Sequence, residues 1–186
     1  NLKLPENPTN LFGIILTYVA VSITPALVEE FAIRGVVLGV LRKYGDSFAI
    51  IVSALVFGLM HGNFAQIPLA FILGVYFGYV VIKTGSVWPA VIIHFLNNFL
   101  SVTIDYLTKE FSDVTKSTIT LVYIMFLMLM GVFGLAILYK KGEKDFSVHK
   151  ESSLLTTGEK IKTALLAPCM IITYVVVLIE AVFVYV

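Results

Sequence analysis

Long, uniformly apolar runs fill most of this chain, and they admit few folds. Six are separated by short polar punctuation: about Asn10 to Lys43, Ser47 to Gly62, Gln66 to Lys83, Trp88 to about Leu107, Ser117 to Lys141, and Ile161 to Val186. None alternates apolar with polar residues as a barrel strand must, so each reads as a helix. Of 186 residues, 59% are hydrophobic and 13% charged. A soluble domain carries roughly 45–50% and about 25%. Mean hydropathy is +0.96. The expectation is an all-α, polytopic transmembrane bundle of about six helical elements, forming one integral membrane domain over residues 1–186. Within it, a motif core covers about 25–98 and a polar loop about 140–160.

The net charge of +1 gives no sign of nucleic-acid binding. The single cysteine, Cys169, excludes an internal disulfide and a cysteine-rich metal site, and reads as a small buried hydrophobe. The chain starts at Asn1, as though an N-terminal part had been removed or left out. The run from Leu11 to Thr24 lacks the basic flank and small-residue cleavage site of a signal peptide, and reads as structural.

The first element is too long for one straight crossing. At 1.5 Å per residue it would reach about 50 Å, against a hydrocarbon core of ~30 Å. Pro25 lies inside it and should kink or break it. No Gly, Asn or Asp between Ser22 and Leu27 offers a tight turn. One helix broken near Pro25 is therefore expected rather than two crossings. If each later element crosses once, Arg42, Lys43, Lys83 and the lysines at 140, 141, 144, 150 and 160 fall on one side. The opposite loops hold Lys109 and Lys116, offset by Glu110 and Asp113. The basic side should be cytoplasmic. The loop from Lys140 to Lys160, with His149 in it, has the composition of a mobile, solvated segment. Asp105 and Glu180 sit near helix ends, within reach of the interface.

Against this background the adjacent acids Glu29 and Glu30 stand out. An acid at the bilayer centre costs about 3 kcal/mol or more, and ionisable groups there are functional by default. Glu30 and Arg34 are four residues apart, so they face each other on a helix and can pair. Glu29 points about 100° away and is left as a general-base candidate. The same group could instead be an interhelical ion-pair lock without chemistry. His61 alone is more often a structural histidine. Gly58 and Gly62 flank it, however, and small residues let another helix approach. His94 and Asn98 share one helix face and offer two donors, as an oxyanion hole does; the alternative is an interhelical hydrogen-bond pair. Asn97, turned about 100° from Asn98, reads as structural. Ser86-Val87-Trp88-Pro89 reads as a helix start. Gly74 to Gly78 has Gly-x-x-x-Gly helix-packing spacing. Helical rise counted from the basic ends puts Glu29, His61 and Asn98 at a depth of about 20 Å and His94 at about 16 Å.

Taken in order, Glu29-Glu30-x-x-x-Arg34, Phe57-x-x-x-His61 and His94-x-x-x-Asn98 resemble the three motifs of the CAAX protease and bacteriocin-processing family of intramembrane endopeptidases. The segment from Gly85 to Asn98 is especially similar to the third motif. The resemblance covers roughly Pro25 to Asn98. It implies a glutamate-dependent protease with no metal and no cofactor. Glu29 would be the base, working with His61 on a water. His94 and Asn98 would hold the oxyanion, and Glu30 with Arg34 would support the first motif. Family members cleave prenylated CAAX tails in eukaryotes. Bacterial relatives are linked to bacteriocin processing, self-immunity and peptide-pheromone maturation, and a short chain resembles that group. A multi-pass protein of the bacterial plasma membrane is therefore expected. Its partners would be the lipid bilayer and a membrane-associated peptide or lipidated protein substrate. Two other readings remain open. In one, His61, His94 and Glu29 are three zinc ligands with an open position, although no His-Glu-x-x-His helix is present. In the other, the protein is a non-catalytic immunity or scaffold protein.

Overall fold

The structure is a computed structural model that describes residues 10–64, 66–140, 147–148, 155–166 and 171. Cys169, His149, Glu180, most of the last apolar run and most of the polar loop lie outside the described residues. All regular structure among the described residues is helical. The elements are α1 (Leu11–Tyr44), α2 (Asp46–Leu59), α3 (Ile67–Thr84), α4 (Trp88–Thr108), α5 (Asp113–Lys140) and α6 (Thr157–Leu165). Among them α1, α3 and α4 are long and apolar enough to cross a membrane. The protein is a membrane protein. Helix α2, at 14 residues, falls short of the ~20 that a full crossing needs.

Pro25 does not break α1, contrary to expectation. The helix runs through it by changing pitch. A π-helical turn occupies Val19–Ile23, and the Thr24 N–H bonds to the Val19 carbonyl five residues back. Pro25 then falls in the first turn of the α-helical stretch Thr24–Glu30. A missing N–H is tolerated at that position. A second π-helical stretch, Phe31–Leu38, follows and carries Arg34. The acidic pair thus sits between two irregular turns. Such turns are rare, and they concentrate at functional sites.

Helices α2 and α3 pack closely, and glycines set the distance. A Cβ built on Gly74 would lie 3.0 Å from Ala54 Cα and 3.3 Å from an Arg34 guanidinium nitrogen. The Gly-x-x-x-Gly spacing therefore marks a real contact. Gly58 also takes a close approach, from Ile67 and Phe71 of α3. Gly62 serves differently from the helix-packing role expected of it. It lies in the turn after α2 with φ +61°, a conformation that costs glycine little. His61 accordingly sits just beyond the end of α2 rather than within it. Helix α4 starts at Trp88-Pro89 as expected. The core is Leu38 and Leu41 of α1, Ala49, Ile50, Val56 and Phe57 of α2, and Phe77 and Val81 of α3. The short helix α6 opens on a capping box between Thr156 and Glu159. It is tied to the end of α1 by Lys160 Nζ, which donates to the Tyr44 carbonyl at 2.9 Å.

Gly74→Ala should cost about 1–3 kcal/mol, the range for overpacking a close contact. Its nearest obstacle is the Ala54 backbone, which cannot swing aside. Thermal unfolding in detergent should show a lower midpoint. An unchanged midpoint would mean that α2 and α3 can part freely.

Candidate active site

Arg34 is 1% exposed and is surrounded on four sides. One guanidinium nitrogen donates to Glu30 Oε1 at 3.1 Å. A second donates to the Gly74 carbonyl at 3.2 Å. The Phe57 ring centroid lies 4.2 Å from its Cζ and the Phe77 centroid 5.3 Å. The i,i+4 spacing on α1 supplies the first partner. The close approach permitted by Gly74 supplies the second. The phenylalanines add cation–π attraction of about 0.5–2 kcal/mol.

Glu30, 0% exposed, serves two residues with one oxygen. The same Oε1 meets His94 Nδ1 at 2.9 Å. An ionised carboxylate only accepts, so Nδ1 carries the proton and the ring orientation is fixed. His94 also lies against Phe77, with centroids 5.5 Å apart and planes at 24°. Phe57 meets it edge-on at 5.7 Å. The other ring nitrogen, Nε2, faces Glu29 Oε2 at 4.0 Å. Glu29 has a side chain 30% exposed. Its carboxylate is open where that of Glu30 is sealed.

His61 is exposed. Its Nδ1 lies 2.9 Å from the Phe57 carbonyl. A carbonyl only accepts, so Nδ1 donates and Nε2 keeps its lone pair when the ring is neutral. The Phe57 ring touches His61 edge-on at 5.0 Å and so stands beside both histidines. Asn98, one turn along α4 from His94, donates its Nδ2 to the Val21 carbonyl at 3.3 Å. Contacts between His94 and the two acids, and between Asn98 and Val21, run in opposite chain directions. Helices α1 and α4 are therefore antiparallel here.

The six sequence-predicted residues are thus distributed as follows. Glu29, Glu30, Arg34 and His94 form one continuous cluster. His61 joins it through Phe57. Asn98 sits one turn further along. Sequence reasoning missed Phe77, although it lies inside the Gly74–Gly78 motif, and missed the Gly74 and Val21 carbonyls. Backbone acceptors leave no mark in residue identity. The proline four residues after Val21 was the available clue. Glu30 Oε2 and Arg34 Nε are buried without a hydrogen-bond partner among the described residues. No three His, Cys, Asp or Glu side chains among those residues are grouped as metal ligands.

Residues 11–100 match the sequence model of the type II CAAX prenyl endopeptidases, Rce1-like. This stretch is similar to the CAAX protease family. The match encloses all three motifs and the whole cluster. The membrane-embedded CAAX protease MroQ of Staphylococcus aureus (strain USA300) is 35% identical over 97 residues, which cover 48% of this chain and 39% of that relative. The chain thus spans about two fifths of that CAAX protease's length. No solved structure matches the chain.

Removing one partner of a buried ion pair costs about 3–5 kcal/mol, because the other charge is left unpaired. Arg34→Ala should therefore reduce the amount of folded protein in the membrane. Arg34→Lys should rescue it poorly, since an ammonium cannot serve Glu30 and the Gly74 carbonyl as a planar fork does. Quantitative immunoblotting of membrane fractions checks both. Wild-type abundance for Arg34→Ala would show that the pair does not hold the fold.

Proposed function

We propose that the chain is an intramembrane endopeptidase that cleaves a peptide bond of a membrane-associated peptide or protein. The observation that carries this reading is the divided acidic pair. Glu30 is committed to Arg34 and His94, while its neighbour Glu29 stays partly exposed beside His94. Glu29 takes a proton from water, with His61 Nε2 orienting that water. The water oxygen attacks the scissile carbonyl carbon, and negative charge develops on the carbonyl oxygen. His94 Nε2 and Asn98 Nδ2 donate to that oxygen. Only the imidazolium form of His94 has a proton to give from Nε2 while Nδ1 holds Glu30. In that form the two carboxylates are balanced by Arg34 and His94. Collapse of the adduct breaks the C–N bond, and the proton held by Glu29 passes to the leaving amine.

The similarity of residues 11–100 to the type II CAAX prenyl endopeptidases supports this reading, as does the name of the relative MroQ. We place the protein, as one multi-pass domain, in the bacterial plasma membrane. The substrate is then a peptide or lipidated protein that reaches the site from the bilayer. The alternative of an immunity or scaffold protein uses the same buried ion pair but needs no base. The zinc alternative needs His94 as a ligand through a nitrogen not already bonded to Glu30.

Glu29→Gln keeps the shape and removes the base. It should lower cleavage by about 10²–10⁴-fold while leaving membrane abundance at the wild-type level. Mass spectrometry of membrane peptides from cells with either protein reads this directly. Identical peptide profiles would favour the non-catalytic reading.

Cleavage should also survive strong chelators. Loss of activity in phenanthroline, restored by zinc, would favour the metalloprotease instead.

A further inference from the structure

Pro25 has no N–H to offer the carbonyl four residues back. That carbonyl belongs to Val21, inside the π-helical turn Val19–Ile23. It accepts instead from Asn98 Nδ2 of α4, at 3.3 Å. The neighbouring Asn97 donates its own Nδ2 to Asn98 Oδ1 at 3.3 Å. Both contacts demand the same orientation of the Asn98 amide. A carbonyl can only accept, so the NH₂ end must face Val21. An amide NH₂ can only donate, so the oxygen end must face Asn97. A primary amide has two N–H groups; Val21 takes one and leaves the other.

We propose that Pro25 and Asn97 are positioning residues for Asn98. They pin its amide from both ends so that its second N–H, and never its oxygen, is presented to the developing oxyanion. This rests on the peptidase reading above. A freely rotating amide could turn its oxygen toward negative charge, where it would repel rather than stabilise. An N–H at position 25 would draw the Val21 carbonyl back along the helix axis and loosen the pin. An aspartate at position 97 would replace the donor with an acceptor and favour the wrong orientation of Asn98. Neither change touches the substrate. The loss therefore falls on kcat, while KM keeps its value.

The test is a double-mutant cycle on the full chain in proteoliposomes: wild type, Pro25→Ala, Asn98→Ala and the pair, with Asn97→Asp as a second single variant. The substrate is a quenched-fluorescent synthetic peptide spanning the cut that mass spectrometry identifies in wild-type membranes. Thermal unfolding is recorded on the same samples. Pro25→Ala and Asn97→Asp should each lower kcat by about tenfold or more, up to the ~10²–10³ that loss of one oxyanion donor costs. KM should be unchanged. The double variant should be no slower than Asn98→Ala, because the pin has nothing left to hold. Multiplicative losses in kcat, or losses confined to KM, would overturn the proposal. The unfolding midpoints separate its two layers. If wild type cleaves no peptide, the peptidase reading falls and the positioning role with it. Coupled midpoints for Pro25→Ala and Asn98→Ala would in that case still record the link between α1 and α4. If cleavage is intact but the midpoints add, the link itself is refuted.

Discussion

A guanidinium buried to 1% exposure among apolar helices dictates much of the surrounding geometry. Arg34 cannot shed its proton, and an unpaired buried charge costs several kcal/mol. It therefore draws partners from three helices. Glu30 meets it from α1, and the Gly74 carbonyl from α3. Phe57 and Phe77 close its faces from α2 and α3. Those same two rings are the walls against which His94 rests. Solving the solvation of one cation thus also fixes the position of a histidine on α4. The absence of a side chain at Gly74 matters for this reason. It lets α3 approach Ala54 and lets its own carbonyl reach Arg34.

The backbone pays a local cost around this cluster. Two π-helical stretches in α1 lie directly before and after the segment that holds the acids. Departures from regular geometry gather where function competes with local preference. The first stretch accommodates Pro25 without interrupting the helix, and it leaves the Val21 carbonyl to Asn98. The second spans Arg34. A straight α-helix through this region would conflict with the proline and alter where each of these groups points.

Much of this was legible in the residues, and the failures have identifiable causes. The Glu30–Arg34 pair follows from i,i+4 spacing alone, because helix geometry makes such neighbours meet. The start of α4 follows from Trp88-Pro89, and the α2–α3 contact from Gly74 and Gly78. A break at Pro25 is more than the proline requires. A proline forbids one hydrogen bond, and a change of pitch satisfies that constraint as well as a break does. The sequence marks His94 as a donor but does not show its partner Glu30, since that contact joins residues 64 apart in sequence. Phe77 looked like any apolar residue of a packing helix. Only the three-dimensional arrangement shows it stacked on a histidine and facing a cation. Asn97 is turned away from Asn98 on the helix, yet side chains on adjacent positions can still touch at their ends.

Two neighbouring glutamates look redundant, but in the proposed peptidase reading a single carboxylate could not meet both demands placed on this site. A base must have an oxygen free to receive a proton and open to water. A counter-ion for buried Arg34 must be sealed and bonded to it. Glu30 Oε1 already takes hydrogen bonds from Arg34 and from His94, and protonating it would disturb both at once. Placing the acids on consecutive residues turns them about 100° apart around the helix. One then faces the core and the other the opening. The sealed acid orients His94, and His94 in turn brings its free nitrogen to within 4.0 Å of the open acid. The adjacency of Glu29 and Glu30 is therefore a division of labour. It keeps the carboxylate bonded to Arg34 and His94 separate from the one left open.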